Sequence, residues 1–375
     1  FLLSQWRPGF QAAISFPLSD NVVFCKGELI LLPVERLRRE NNHKEVPTMA
    51  GKPSFADRAT IRTDLAVEAR QFLTQQGYPV PGVTVEDDEN EYARVSWVKI
   101  TSPEGAQAMG KPPGNYITIE SPYLRQASRV AQEEIGKLLA RELEKLANLP
   151  PEATILVVGL GNWHATPDAL GPRVIDELLV TRHVAQYAPE ELSEGLRIVC
   201  ALAPGVLGLT GIETGEIVKG IVQNVKPDLI IAIDSLAARS VDRVCTTIQL
   251  ADNGINPGSG IGNKRMGITR ETMGVPVIAL GVPTVVHASN IAYDVIETLL
   301  GQMKGELDLG IMGRLGEADK RQMIRAVLGS EMGDLHVTPK EIDSLILNIS
   351  RVLAGALNVA LHPAVKEEDL YRYLQ

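Results

Sequence analysis

The sequence predicts an α/β protein with a mainly parallel sheet and helices on both faces. Three observations carry this. Four runs of strand length are apolar almost throughout: 153–159 (ATILVVG), 197–202 (RIVCAL), 228–233 (DLIIAI) and 276–280 (PVIAL). None alternates polar with apolar, so each strand is buried on both sides, as in a sheet covered above and below. Helical patterns fall between or after them, at 172–187, 213–224 and 290–303, which is the β–α order of a parallel sheet. Finally, 375 residues with 45% apolar and 22% charged content can enclose a large core.

The remaining elements follow in order. Residues 1–48 scatter Trp6, Phe10, Phe16, Phe24 and Cys25 without period and end in a charged run, 35–45. Lys44-Glu45-Val46 reverse-translates to AAG GAG GTN, a ribosome-binding sequence two codons before Met49. Residues 1–48 are therefore expected to be an untranslated or disordered extension, with translation starting at Met49. In 64–73 (DLAVEARQFL), Leu65, Ala69 and Leu73 recur every four residues, a helix face. Residues 92–100 and 116–120 alternate as strands, separated by a loop through Gly110, Pro112, Pro113 and Gly114. Residues 123–148 read as a long amphipathic helix that Pro150-Pro151 terminates. Thr338-Pro339-Lys340-Glu341 forms a capping box launching a last helix to about Leu361.

Composition narrows the function classes. A formal charge of −9 opposes an electrostatic nucleic-acid footprint, which needs a basic face. Cys25, Cys200 and Cys245 lack C-x-x-C spacing and fit a reducing cytoplasm. No apolar run is expected to approach the roughly 18 to 20 residues of a membrane span, and no signal peptide is read at the start. No cofactor and no resident metal are expected.

In parallel sheets, reacting groups collect beyond the C-terminal ends of strands. Asp168 and Asp234 meet that condition: Asp168 follows the first apolar strand, beside a helix start, and Asp234 ends DLIIAID. Asp168 alone also reads as a helix N-cap, and Asp234 alone as a strand-end turn former. Two carboxylates that approach each other share a proton and serve as base and acid. Gly159-Leu-Gly161-Asn162 lacks the third glycine of a dinucleotide loop, because Trp163 and His164 occupy its place. No G-x-S-x-G and no H-E-x-x-H occurs. His287 is a candidate third ligand around a metal, or a packed histidine. The glycine-rich loop holding Ser259, and Thr210, Glu213 and Thr214 after Gly205, are candidate cleft-lining residues, or plain turn and cap formers.

Several long motifs, taken together, resemble the germination endopeptidase family. They are Arg62-Thr-Asp-Leu-Ala-Val-Glu-Ala69, Gly159-Leu-Gly-Asn-Trp-His-Ala-Thr-Pro-Asp-Ala-Leu-Gly-Pro172, Pro204-Gly-Val-Leu-Gly-Leu-Thr-Gly-Ile-Glu-Thr214 and Ala232-Ile-Asp-Ser-Leu-Ala-Ala-Arg239. Asn256-Pro-Gly-Ser-Gly-Ile-Gly-Asn263 and Gly281-Val-Pro-Thr-Val-Val286 extend the likeness over about residues 57–375. The resemblance implies a fold similar to hydrogenase maturation proteases with added strands. It also implies an atypical aspartic-type endopeptidase with carboxylates Asp168 and Asp234. Its expected substrates are small acid-soluble spore proteins, its place the cytoplasm of forespore and spore core, and its assembly a homotetramer. No direct nucleic-acid or membrane partner is expected. In the related maturation proteases the corresponding acidic positions and a histidine hold a metal, which keeps a metal-dependent protease as one alternative; a non-catalytic peptide-binding protein is another. The family makes a self-processing zymogen, and Thr63-Asp64-Leu65-Ala66 resembles its cleavage motif. The expected division is a propeptide at 49–64, cleavage at Asp64-Leu65, and one peptidase domain at 65–375.

Overall fold

Three of the four apolar runs become inner strands of one sheet, while 197–202 becomes an edge strand, only partly buried against the expectation of burial on both sides. The computed structural model describes residues 22–25, 28–31, 63–75, 77, 80–126, 128–188, 195–256, 266–303, 317–328 and 335–369. The chain divides into two units, Phe1–Lys52 and Pro53–Gln375. In the first, β1 (Val22–Cys25) and β2 (Glu28–Leu31) pair as an antiparallel hairpin in a stretch where no strand was expected.

Among the described residues, the second unit holds a nine-stranded sheet in the order β3-β4-β5-β9-β10-β8-β6-β7, with β11 pairing β10. Its parallel half consists of β10 (Val277–His287), β8 (Leu229–Ala238), β6 (Thr154–Gly159) and β7 (Ile198–Leu202). The added strands are antiparallel: β3 (Val83–Glu89), β4 (Arg94–Ile100), β5 (Gly114–Glu120), β9 (Thr247–Ala251) and β11 (His336–Val337).

Side chains that alternate along β6 and β8 feed two cores, as the two-sided apolar pattern requires. Ile155, Val157, Leu229, Ile231 and Ile233 join a core with α3 (Arg129–Ala147), α4 (Leu170–Asp176) and α11 (Ile342–Leu361). Leu156, Val158, Ile230 and Ala232 join another with α7 (Thr214–Val225) and α8 (Arg270–Met273). A third cluster seats α1 (Ala66–Gln75) and α2 (Pro103–Met109) on the antiparallel strands through Ala66, Ala69, Leu73, Met109 and Tyr116.

Three expectations change. The helix expected over 172–187 breaks into α4 and α5 (Arg182–Tyr187). The break is held from outside: Leu179 N–H donates to Asn358 Oδ1 at 2.9 Å, and Thr181 exchanges bonds with Arg197 O and Val199 N–H beside β7. The final helix starts at Ile342 rather than at the capping box, because the Thr338 hydroxyl donates to Thr284 O. That helix is also 20 residues long and contains an 18-residue window with a mean hydropathy of 1.6, enough by length and composition to cross a membrane, against the expectation of no such run. Its window is 78% buried and it packs on α3 and α4, as the central helix of a core does.

Candidate active site

Asp168 is positioned by a turn that only glycine fits well. Beyond β6, Leu160 N–H reaches across to Ile233 O at 2.8 Å, after which Gly161 takes φ 117°. A Cβ on Gly161 would sit 2.0 Å from Asp168 O, so the loop's return depends on its absence. Asn162 N–H donates to both Asp168 O at 3.0 Å and Asp168 Oδ2 at 2.9 Å. Asp168 ends a short 3₁₀ turn, Thr166–Asp168, while Ala169 takes the N-cap position of α4 with no side-chain cap. The N-cap reading of Asp168 is thereby corrected: its carboxylate holds its own loop closed.

Asp234 does not end its strand, as the sequence suggests it would: β8 continues through Ala238, paired with β10, and Asp234 sits within it, 9% exposed, on the face it shares with Ile230 and Ala232. Its Oδ1 accepts from Ser235 N–H at 2.9 Å. In register, Asp234 pairs with Gly281 of β10, and Gly281 pairs on its other side with Gln249 of β9. Neighbouring strands lie about 4.8 Å apart, so Asp234 and Gln249 face one another across roughly 10 Å with a side-chain-free residue between them.

Both aspartates line one cleft of about 830 Å³, together with Asp64, Lys111, Tyr116 and Gln249. Asp64 is held on every polar atom of its backbone. Its N–H donates to Ala237 O at 3.0 Å, and its own Oδ2 accepts from Ala237 N–H at 2.9 Å. The carbonyl oxygen of Asp64 accepts from Lys111 Nζ at 2.9 Å and from Gln249 Nε2 at 3.1 Å. Gln249 Oε1 in turn accepts from Ala66 N–H at 2.8 Å. Leu65 is fully buried in the main core. Residues 63–65 are not helical; residues 60–62 lie outside those described.

Buried charge surrounds this segment. Glu68, 2% exposed, accepts from the backbone N–H groups of Arg239 at 2.7 Å and Ser240 at 2.9 Å, and pairs with Arg243 at 3.4 Å. Burial pushes the Lys111 pKa down from the ordinary lysine value, against the opposing pull of Asp64 and Glu68. Burial pushes the Tyr116 phenol up, and its hydroxyl donates to Pro112 O at 2.8 Å.

The other candidates stand elsewhere. Thr210, Glu213 and Thr214 do not line the cleft. The Thr210 hydroxyl closes its own turn at Ile212 N–H, Glu213 is the N-cap residue of α7, and Thr214 donates to Gly205 O at 3.3 Å. Ser259 lies outside the described residues. His287 is fully buried and not on the lining; its ring lies 4.3 Å from that of His336, which does line the cleft. The three-ligand set of Asp168, Asp234 and His287 is therefore corrected: among the described residues no group of three or more His, Cys, Asp or Glu is arranged to hold a metal ion. Lys111, Ala237 and Gln249 were missed, because only sheet register and a loop's return bring them to Asp64.

The germination protease family model matches residues 60–308 and 301–374. A germination protease of Caldanaerobacter subterraneus subsp. tengcongensis is 47% identical over 84% of this chain and 98% of its own length. Germination proteases of Clostridium perfringens and Bacillus subtilis are 46% and 43% identical over 84% of this chain, covering 99% and 96% of theirs. The [NiFe] hydrogenase maturation protease HycI from Thermococcus kodakarensis is similar over 38% of this chain and 80% of that one, at 17% identity and a TM-score of 0.24, a likeness too slight to carry an argument. With its α/β sheet, its cleft and these relatives of nearly full length, the chain belongs to the germination protease family.

Proposed function

We propose that this protease hydrolyses peptide bonds with Asp168 and Asp234 as an acid–base pair, and that its first substrate is its own Asp64-Leu65 bond. One observation carries the reading: Asp64, Asp168 and Asp234 line the same cleft. One carboxylate takes a proton from water as the water oxygen bonds to the carbonyl carbon. The other gives a proton to the departing nitrogen, and the C–N bond breaks.

The later substrates in this reading are small acid-soluble spore proteins, met in the cytoplasm of forespore and spore core by a homotetramer. Fourteen-residue peptides carrying Thr-Asp-Leu-Ala test the chemistry. Asp168→Asn and Asp234→Asn are each expected to lower kcat by about 10²-fold or more, the scale of a lost acid or base. Unchanged cleavage by both variants would sink the assignment.

A further inference from the structure

We propose that Lys111 and Gln249 are the oxyanion donors of this site, and that Ala237 reads the acidic side chain on the amino side of the cut bond. The inference rests on the reading that Asp64-Leu65 is cut.

The Asp64 carbonyl has an uncommon environment for a residue at a helix start. Leu65 O is the first acceptor of the α1 ladder, receiving Ala69 N–H at 3.2 Å. Asp64 O, one residue earlier, is outside that ladder and meets two side-chain donors, an ammonium at 2.9 Å and an amide at 3.1 Å. Both come from elements distant in sequence and both line the cleft with the two aspartates. When water adds to the carbonyl carbon, the C–O bond lengthens and its oxygen becomes an anion. Donors already placed there stabilise that charge without reorganising. The proton lost by water goes to one aspartate, the anion collapses, and the Leu65 nitrogen leaves with a proton from the other.

Gln249 also fixes the register. Its two amide atoms bracket the bond, one on Asp64 O and one on Ala66 N–H, as a neighbouring strand would. Ala237 grips the same residue through both its N–H and its C=O, placing a hydrogen-bond donor on the Asp64 carboxylate. Lys111 adds a positive charge to the same pocket. An acidic residue is thereby selected, while Gln249 stands opposite Asp234 over Gly281.

The test is the first-order rate of self-processing of the full chain, read by intact mass. If wild type yields no chain beginning at Leu65, the cleavage reading itself fails. If it does, Lys111→Met and Gln249→Glu are each expected to slow processing by about 10²-fold or more. Gln249→Glu keeps an acceptor for Ala66 N–H while removing the donor to Asp64 O, so it separates the anion's loss from mere detachment of the helix start. Lys111→Arg is expected to recover part of the rate and to carry it to higher pH than wild type, because the guanidinium does not titrate there. A wild-type rate in Lys111→Met or Gln249→Glu, or an alkaline limb that Lys111→Arg leaves in place, would overturn the proposal.

Discussion

Gly161 shows what a single residue contributes to this site. Its φ of 117° and the 2.0 Å gap between its absent Cβ and Asp168 O leave no room for a side chain. Gly161→Ala is expected to cost about 1–3 kcal/mol of stability through backbone strain alone. It should also move Asp168 and lower kcat by more than the loss of stability explains; thermal melting beside peptide kinetics checks both. The sequence places Asp168 and Asp234 beyond strand ends, where a sheet's carboxyl edge gathers polar groups; both line the cleft, but Asp234 does so from within β8, because that strand runs on to Ala238. Lys111 and Gln249 were not legible in the sequence. Gln249 is one polar residue in TIQLA, and nothing local distinguishes it from a half-exposed edge position until β9 pairs with β10. The acidic helix-face residue Glu68 hid in the same way, since its partners Arg239, Ser240 and Arg243 lie about 170 positions on.

At the scale of elements, three apolar runs translated directly into β6, β8 and β10, strands buried along nearly their whole length, whereas 197–202 became β7, a partly buried edge strand that the same pattern does not distinguish. β3 was not legible: VTVEDDE is exposed along nearly its whole length and pairs only with β4, so its acidic residues gave no burial signal. The break after α4 was hidden because Leu178, Leu179 and Val180 continue a helical pattern, and tertiary bonds override it. Thr181 decides that break, its hydroxyl donating to Arg197 O and accepting from Val199 N–H. Thr181→Val leaves a buried N–H and a carbonyl without that partner. It is expected to cost about 1–3 kcal/mol, read as a lower melting temperature with the cleft chemistry unchanged.

Across the whole molecule, the largest core joins the sheet to α3, α4 and α11, so stability and site geometry rest on the same packing. His362, fully buried at the end of α11, has its Nε2 3.1 Å from Leu179 O. Burial lowers its pKa from 6.5, more than the Leu179 carbonyl raises it. In the unfolded chain this ring takes a proton as pH falls through about 6.5, whereas the folded chain keeps it neutral, so the folded state loses stability on acidification and nothing above that pH. Melting temperature measured from pH 7.5 to 5 should therefore fall more steeply in wild type than in His362→Gln; equal slopes would remove this account of the histidine. The central claim is that Asp168, in the loop after β6, and Asp234, within β8, cut the bond held in their own cleft. Intact-mass analysis of the full chain and its Asp234→Asn variant tests it most directly. Wild type should lose everything up to Asp64 and begin at Leu65, while Asp234→Asn should stay uncut over the same hours. A variant that processes at the wild-type rate, or a wild-type product beginning at any other residue, would contradict it.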